Sequence, residues 1–345
     1  MYNIYLKSGL GEETYAPPFI FQGLNEATLD SAWVEAKEGM FSSVDSVLSK
    51  TKIDPCKDID VVIVTCGSFS PSPSLCSLLV NHYKMGPAVK TYNLSGMGCG
   101  SGILAIDMAA HILRGSSGQN VRNALVVITE NISLNWYYGE DRSMLVTNCI
   151  FRVGCAAAIV TNDPARRGEA KFQLIHSLRT HHGTDDSAYK AAFQEEDDKG
   201  ITGVSLTKDL IRVAGHNLRG HIKTLAPRVL PLSQIIQYMK SIALNALTQG
   251  ESKPMVPDFT TAFDHICIHT GGKAVIEQVG KVLKFDESIT EPARMTLHRF
   301  GNTSSSLVFY ELAYFEAKRR LRKVIEFGCL PLGLDLRLGV WFGRH

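Results

Sequence analysis

The sequence predicts an α/β fold in which duplicated βαβ halves hold central sheets between helices, and three observations carry that prediction. Short β-branched runs alternate with segments of helical periodicity. The runs give way to glycine turns. The same order then recurs in the second half, where 36 residues separate Ile266 from Asn302, against 38 between Val61 and Cys99 in the first.

In chain order, Asp60-Val-Val-Ile-Val-Thr-Cys reads as a buried strand ending in Gly-Ser, followed by a helix over Ser74–Tyr83. Val89–Leu94 reads as the next strand, Ser95–Gly102 as a tight glycine turn, Ile103–Arg114 as a helix and Asn123–Glu130 as another buried strand. In the second half, Asp264–His269 is a strand that ends at Gly271-Gly272, and Ala274–Leu283 is a helix. Met295–Phe300 then leads through Gly301-Asn-Thr-Ser-Ser-Ser into a helix expected over Leu307–Leu321. This alternation predicts parallel sheets with ligands at the C-terminal ends of strands, where Cys99, His269 and Asn302 all fall. The expected division is an N-terminal half over 1–165, an insertion or cap over 166–250, a C-terminal half over 251–322 and a tail over 323–345. Within the cap, the acidic run Gln194–Gly200 reads as a solvated loop.

Composition narrows the class. The 345 residues are 45% hydrophobic and 20% charged with a formal net charge of +2, ordinary for a folded protein and without the basic excess of a nucleic-acid groove. Cysteines at 56, 66, 76, 99, 149, 155, 267 and 329 include no C-x-x-C pair and read as reduced thiols. Met1–Thr14 mixes Lys7, Glu12 and Glu13 with glycine, unlike a signal segment. No apolar run reaches the roughly 18 residues of a spanning helix, so no transmembrane segment is expected.

Cys99 is the sharpest chemical feature. At a glycine turn opening a helix, a thiol meets free backbone N–H groups and the positive end of the helix dipole, both of which favour thiolate. The same N–H groups are suited to a developing oxyanion, and the flanking glycines allow a substrate to approach closely. His265 and His269 have a zinc-like spacing, but four residues along a strand is about 13 Å, too far for one metal. His269, at the strand end, is the better catalytic candidate, and His265 reads as structural. Asn302, in a Gly-Asn-Thr-Ser turn, reads locally as a turn or cap residue and becomes a site candidate through its place in the duplicated plan.

Several stretches resemble the plant very-long-chain 3-ketoacyl-CoA synthases, condensing enzymes of fatty acid elongation with the thiolase-like fold. They are Asn93-Leu-Ser-Gly-Met-Gly-Cys99, Phe151-Arg-Val-Gly, Arg179-Thr-His181, Gly203-Val-Ser-Leu-Thr-Lys-Asp, His265-Ile-Cys-Ile-His269 and His298-Arg-Phe-Gly-Asn302-Thr-Ser-Ser-Ser. The opening Ser8–Pro18 is similar to a family stretch too, and the match runs from about Leu6 to Arg322. The resemblance implies Cys99 as nucleophile, with His269 and Asn302 completing a Cys-His-Asn triad, and it matches His181, His265 and His298 to further family histidines. It implies decarboxylative condensation of malonyl-CoA with a long-chain acyl group held on Cys99. It also implies no metal or redox cofactor, coenzyme A entering only within the substrates. The expected partners are a second copy of the chain and the reductases and dehydratase of an elongase complex, at the cytosolic face of the endoplasmic reticulum membrane.

The chain departs from the family at Cys99-Gly-Ser-Gly, where relatives commonly have Cys-Ser-Ala-Gly; glycine in the first helical turn costs up to about 1 kcal/mol against alanine. It reads as short at the N-terminus and altered after Arg322, although Leu332, Leu334, Leu336, Leu338 and Val340 alternate as a strand would. Two alternatives follow: an inactive truncated paralogue serving as a binding or dimerisation partner, and a polyketide or ketoacyl synthase of the same superfamily. A biosynthetic thiolase fits less well, for want of a second cysteine in a Cys-Gly-His context.

Overall fold

The computed structural model describes residues 2–16, 20, 27–115, 122–208, 210–248, 255–320, 326–330 and 337–343. After a short helix α1 (Tyr2–Ser8), the long helix α2 (Leu29–Thr51) starts at Thr28, whose side chain accepts from the Ser31 N–H. The first half continues β1 (Val61–Cys66), α3 (Leu75–His82), β2 (Lys90–Ser95), α4 (Ser101–Gly115), β3 (Asn123–Glu130), α5 (Arg142–Ile150) and β4 (Gly154–Thr161). Then come β5 (Gln173–Thr180), α6 (Asp186–Tyr189), β6 (Ala192–Glu196), β7 (Thr202–Leu206), α7 (Leu210–Val229) and α8 (Leu232–Leu247). The chain closes with β8 (His265–Ile268), α9 (Lys273–Leu283), α10 (Glu287–Phe300), α11 (Leu307–Ala317), β9 (Glu326–Leu330) and β10 (Arg337–Gly343).

Two four-stranded sheets form the centre, ordered β2-β1-β3-β4 and β5-β10-β9-β8. Side chains alternate across β1 and β3. Val62, Val64, Leu125 and Val127 face α2 and α3, whereas Val61, Ile63, Val126 and Ile128 face α4 and α11. In β8, Cys267 joins the α4 and α11 side, and Ile266 and Ile268 pack with α7, α9 and α10. The layers therefore run helix, sheet, helix, sheet, helix. Helix α4 lies in the middle layer and is apolar nearly all round, with Ile103, Leu104, Ala105, Ile106, Ala109, Ala110 and Leu113 buried.

The expected sheets, helices and duplicated arrangement are present, with four differences. The sheets are mixed: β1, β2 and β3 are parallel, but β4 runs antiparallel to β3, and β10 runs antiparallel to both β5 and β9. Asn302 follows a helix rather than a strand. Asp286 caps α10 by accepting from the Ile289 N–H, and Thr290, Ala293 and Leu297 are buried at helical spacing, so Met295–Phe300 completes a helix. The acidic run is partly a strand, since Gln194, Glu195 and Glu196 pair with β7 in a small hairpin. Helix α11 ends at Ala317, short of Leu321, which lies outside the described residues. Leu338 and Val340 lie in β10, as the alternating pattern predicts, and Leu332, Leu334 and Leu336 fall outside the described residues.

Candidate active site

Cys99 sits in a single 3-10 turn, Gly98–Gly100, that runs directly into α4. Gly98 has φ +63°, a left-handed conformation that glycine adopts without strain and that lets the chain turn from β2 into the helix. The start of α4 is tied to the first sheet by a hydrogen bond between the Ser101 and Thr65 hydroxyls. Gly102 then meets the second half closely: a Cβ there would stand 2.7 Å from the Ser305 carbonyl oxygen. This contact brings the segment after α10 onto Cys99, whose sulfur accepts from the Ser304 hydroxyl at 3.5 Å.

Asn302 is held by its backbone between α5 and β4. Its N–H donates to the Ile150 carbonyl (3.0 Å) and its carbonyl accepts from the Arg152 N–H (2.9 Å), a parallel bridge opposite Phe151. This explains the stretch Phe151-Arg-Val-Gly: Arg152 also donates to the Asn148 and Phe151 carbonyls, fixing the clamp. The Asn302 Oδ1 accepts from the Ser304 N–H at 2.9 Å, which leaves the side-chain NH2 as what Asn302 offers a ligand. Ser304 has φ +55°, a strained conformation for serine that this hydrogen bond maintains.

His269 lies at the exit of β8 and is buried, and its Nδ1 has no hydrogen-bond partner among the described residues. The loop that it opens reaches Gly272, where a Cβ would lie 3.9 Å from Ile150, the residue whose carbonyl holds Asn302. Burial pulls the His269 imidazole down to about 4, so it is neutral at physiological pH. The cysteine differs from the expected thiolate. Burial pushes the Cys99 thiol up to about 11, the Glu130 charge adds to the rise, and the Ser304 hydrogen bond only partly offsets them. Desolvation thus outweighs the helix start, and Cys99 rests as a thiol.

Glu130 and Ser68 were not singled out in the sequence. Glu130 ends β3, is buried, and accepts from the Ser68 N–H (3.0 Å), the Ser68 hydroxyl (2.6 Å) and the Asn131 N–H (3.2 Å). A carboxylate closing a run of seven uncharged strand residues was the available signal. Ser304 lay within the quoted serine run but had no mark of its own.

The other histidines make local contacts. His265, at the far end of β8 from His269, faces the Arg320 carbonyl through Nε2 (3.2 Å) and packs its ring at a tilt against Phe315. The His298 carbonyl accepts from the Gly11 N–H, and its ring fills the space a Cβ at Gly11 would need. His181 is exposed just after β5, its Nδ1 accepting from the Gly183 N–H at 3.2 Å.

A cysteine at a buried helix start between two sheets, with a polar segment from the second half laid on it, defines a thiolase-like fold with a candidate covalent site. Solved structures share this fold. They include the type III polyketide synthase domain of Steely1 from Dictyostelium (TM-score 0.73, 19% identity, 99% of this chain and 88% of that one). CsyB complexed with CoA-SH is another (TM-score 0.72, 17% identity, 99% and 90%). The sequence model described as FAE1/Type III polyketide synthase-like protein matches residues 1–247, and that for the chalcone and stilbene synthase C-terminal domain matches residues 235–343. The chain belongs to the FAE1/type III polyketide synthase-like family. Among curated relatives, it is 45% identical to 3-ketoacyl-CoA synthase 4 of Arabidopsis thaliana over 92% of this chain, and it spans 61% of that protein's length. It is 47% identical to 3-ketoacyl-CoA synthase 2 of the same plant, over 97% of this chain and 64% of the relative.

Proposed function

We propose that the protein is a 3-ketoacyl-CoA synthase that lengthens a long-chain acyl group by condensation with malonyl-CoA. The observation that carries this reading is the meeting of Cys99, at the start of α4, with the Asn302–Ser304 segment, in a chain so similar to proteins of that name. Cys99 attacks the acyl-CoA carbonyl. A carbon–sulfur bond forms to Cys99, the bond to coenzyme A breaks, and the thiol proton passes through neutral His269 to the departing thiolate. A thiol near 11 is ionised to only about one part in ten thousand at neutral pH, so a proton acceptor is required.

Malonyl-CoA then loses carbon dioxide, its bonding pair becoming an enolate that receives hydrogen bonds from the Asn302 NH2 and His269. The enolate carbon attacks the acyl thioester, Cys99 leaves as thiolate and is reprotonated, and the product is a 3-ketoacyl-CoA two carbons longer. We place the reaction, through the same resemblance, at the cytosolic face of the endoplasmic reticulum. There it would act as a homodimer supplying the reductases and dehydratase of an elongase complex. Among the described residues no helix is long and apolar enough to cross a membrane. The test is formation of labelled 3-ketoacyl product from long-chain acyl-CoA and labelled malonyl-CoA. Acylation of Cys99 without any condensed product would overturn it.

A further inference from the structure

Helix α8, Leu232–Leu247, turns an apolar stripe to solvent. None of its residues is buried, and its large apolar side chains point to solvent: Leu232 is 71% exposed, Ile236 45%, Met239 58% and Leu247 81%. These positions, with exposed Ala243, fall four, three, four and four residues apart and so form one stripe. The inward side is mixed: Ile235 packs on the core and Tyr238 is half-buried, but polar groups share that face. The Gln234 Oε1 accepts from the Asp258 N–H (3.2 Å), the Ser241 hydroxyl accepts from the Met255 N–H (3.1 Å), and Asn245 is half-buried. A surface helix that only covers a core turns a polar face to solvent, and α8 does not.

Within the α7–α8 segment the charges have one sign, and the acidic Asp258 meets α8 through its backbone N–H on Gln234. From Leu210 to Thr248 the sequence holds Arg212, Arg219, Lys223, Arg228 and Lys240 and no Asp or Glu, and all five are exposed. Arg228 precedes α8 by one turn, and Lys240 adjoins Met239 on it. An apolar stripe with basic flanks is what a helix lying in the headgroup layer of an anionic bilayer requires. A second copy meeting this face about a two-fold axis would bring positive charge against positive charge, with no acidic partner in the segment.

We propose that α8 is a membrane-surface helix, its Leu232–Leu247 stripe inserted among acyl chains and the Lys and Arg residues of α7 and α8 on the headgroup phosphates. The inference rests on α8 and its charges and is independent of the reading of Cys99. The test is flotation of the purified full chain with vesicles of phosphatidylcholine alone or with added phosphatidylserine, at low and high salt. Binding is expected to need phosphatidylserine and to weaken with salt. Leu232→Gln, Met239→Gln and Leu247→Gln together should reduce binding at least about tenfold. Arg228→Glu with Lys240→Glu should reduce it about thirtyfold. All five sites are exposed, so thermal unfolding should not change, and the two variants check each other. Equal flotation with and without phosphatidylserine, or undiminished binding by the triple variant, overturns the proposal. So does a dimer in sedimentation that the triple variant dissociates, without vesicle binding.

Discussion

The Ser304 hydroxyl and the Cys99 sulfur, 205 positions apart in the chain, lie 3.5 Å from each other. This contact joins the two halves at Cys99, and it works against burial by favouring the ionised sulfur. Ser304→Ala should therefore raise the cysteine's pKa further and slow acylation at neutral pH about fivefold, the worth of one ordinary hydrogen bond. Iodoacetamide alkylation of Cys99 against pH reads the shift directly. An unchanged profile would leave the hydroxyl without a chemical part.

Glu130 acts in the opposite direction, because its charge disfavours a second negative charge nearby. Glu130→Gln should move the same alkylation profile to lower pH while keeping an acceptor for Ser68. A shift upward would mean that the carboxylate supports the thiolate through another group.

Cys99→Ala should abolish acylation by labelled acyl-CoA, whereas Cys56→Ala, at an exposed thiol, should leave it intact. Label retained by Cys99→Ala would place the covalent chemistry elsewhere.

The pH dependence of stability carries two opposed signals. His269 is neutral when folded, its pKa lowered to about 4, so the unfolded chain binds the extra proton between about 6.5 and 4. Stability should be complete above 6.5 and fall by up to about 3 kcal/mol as pH drops through that window, a loss that His269→Gln removes. Glu35 on α2 is raised to about 7 by burial, although the Ile132 and Ser133 N–H groups and the Ser133 hydroxyl donate to it. Its contribution is complete below 4.5 and declines by up to about 3 kcal/mol as pH rises to 7. Glu35→Gln should flatten that decline. Denaturant unfolding at stepped pH separates the two.

Gly102→Ala would press a methyl group against the Ser305 carbonyl and Ile128, backbone on one side and core on the other. The variant should lose about 1–3 kcal/mol of stability and also lose acylation, because the strain separates α4 from the segment bearing Ser304. Loss of stability with normal acylation would show that the contact supports the core alone.

The sequence by itself determined those parts whose causes are local. The β-branched run of β1, the helical spacing of α4 and the glycine turn at Cys99 are all short-range, and each lies where the pattern puts it. The family-like order of motifs marked Cys99, His269 and Asn302 together, with no indication of what surrounds them. The tertiary structure decided what depends on neighbours distant in the chain. Asn302 follows a helix because α10 finds buried partners for Ala293 and Leu297. Cys99 rests as a thiol because the desolvation of its folded surroundings outweighs the helix start. The apolar stripe of α8 faces solvent, because periodicity shows that a helix has two faces and only packing chooses which one turns inward.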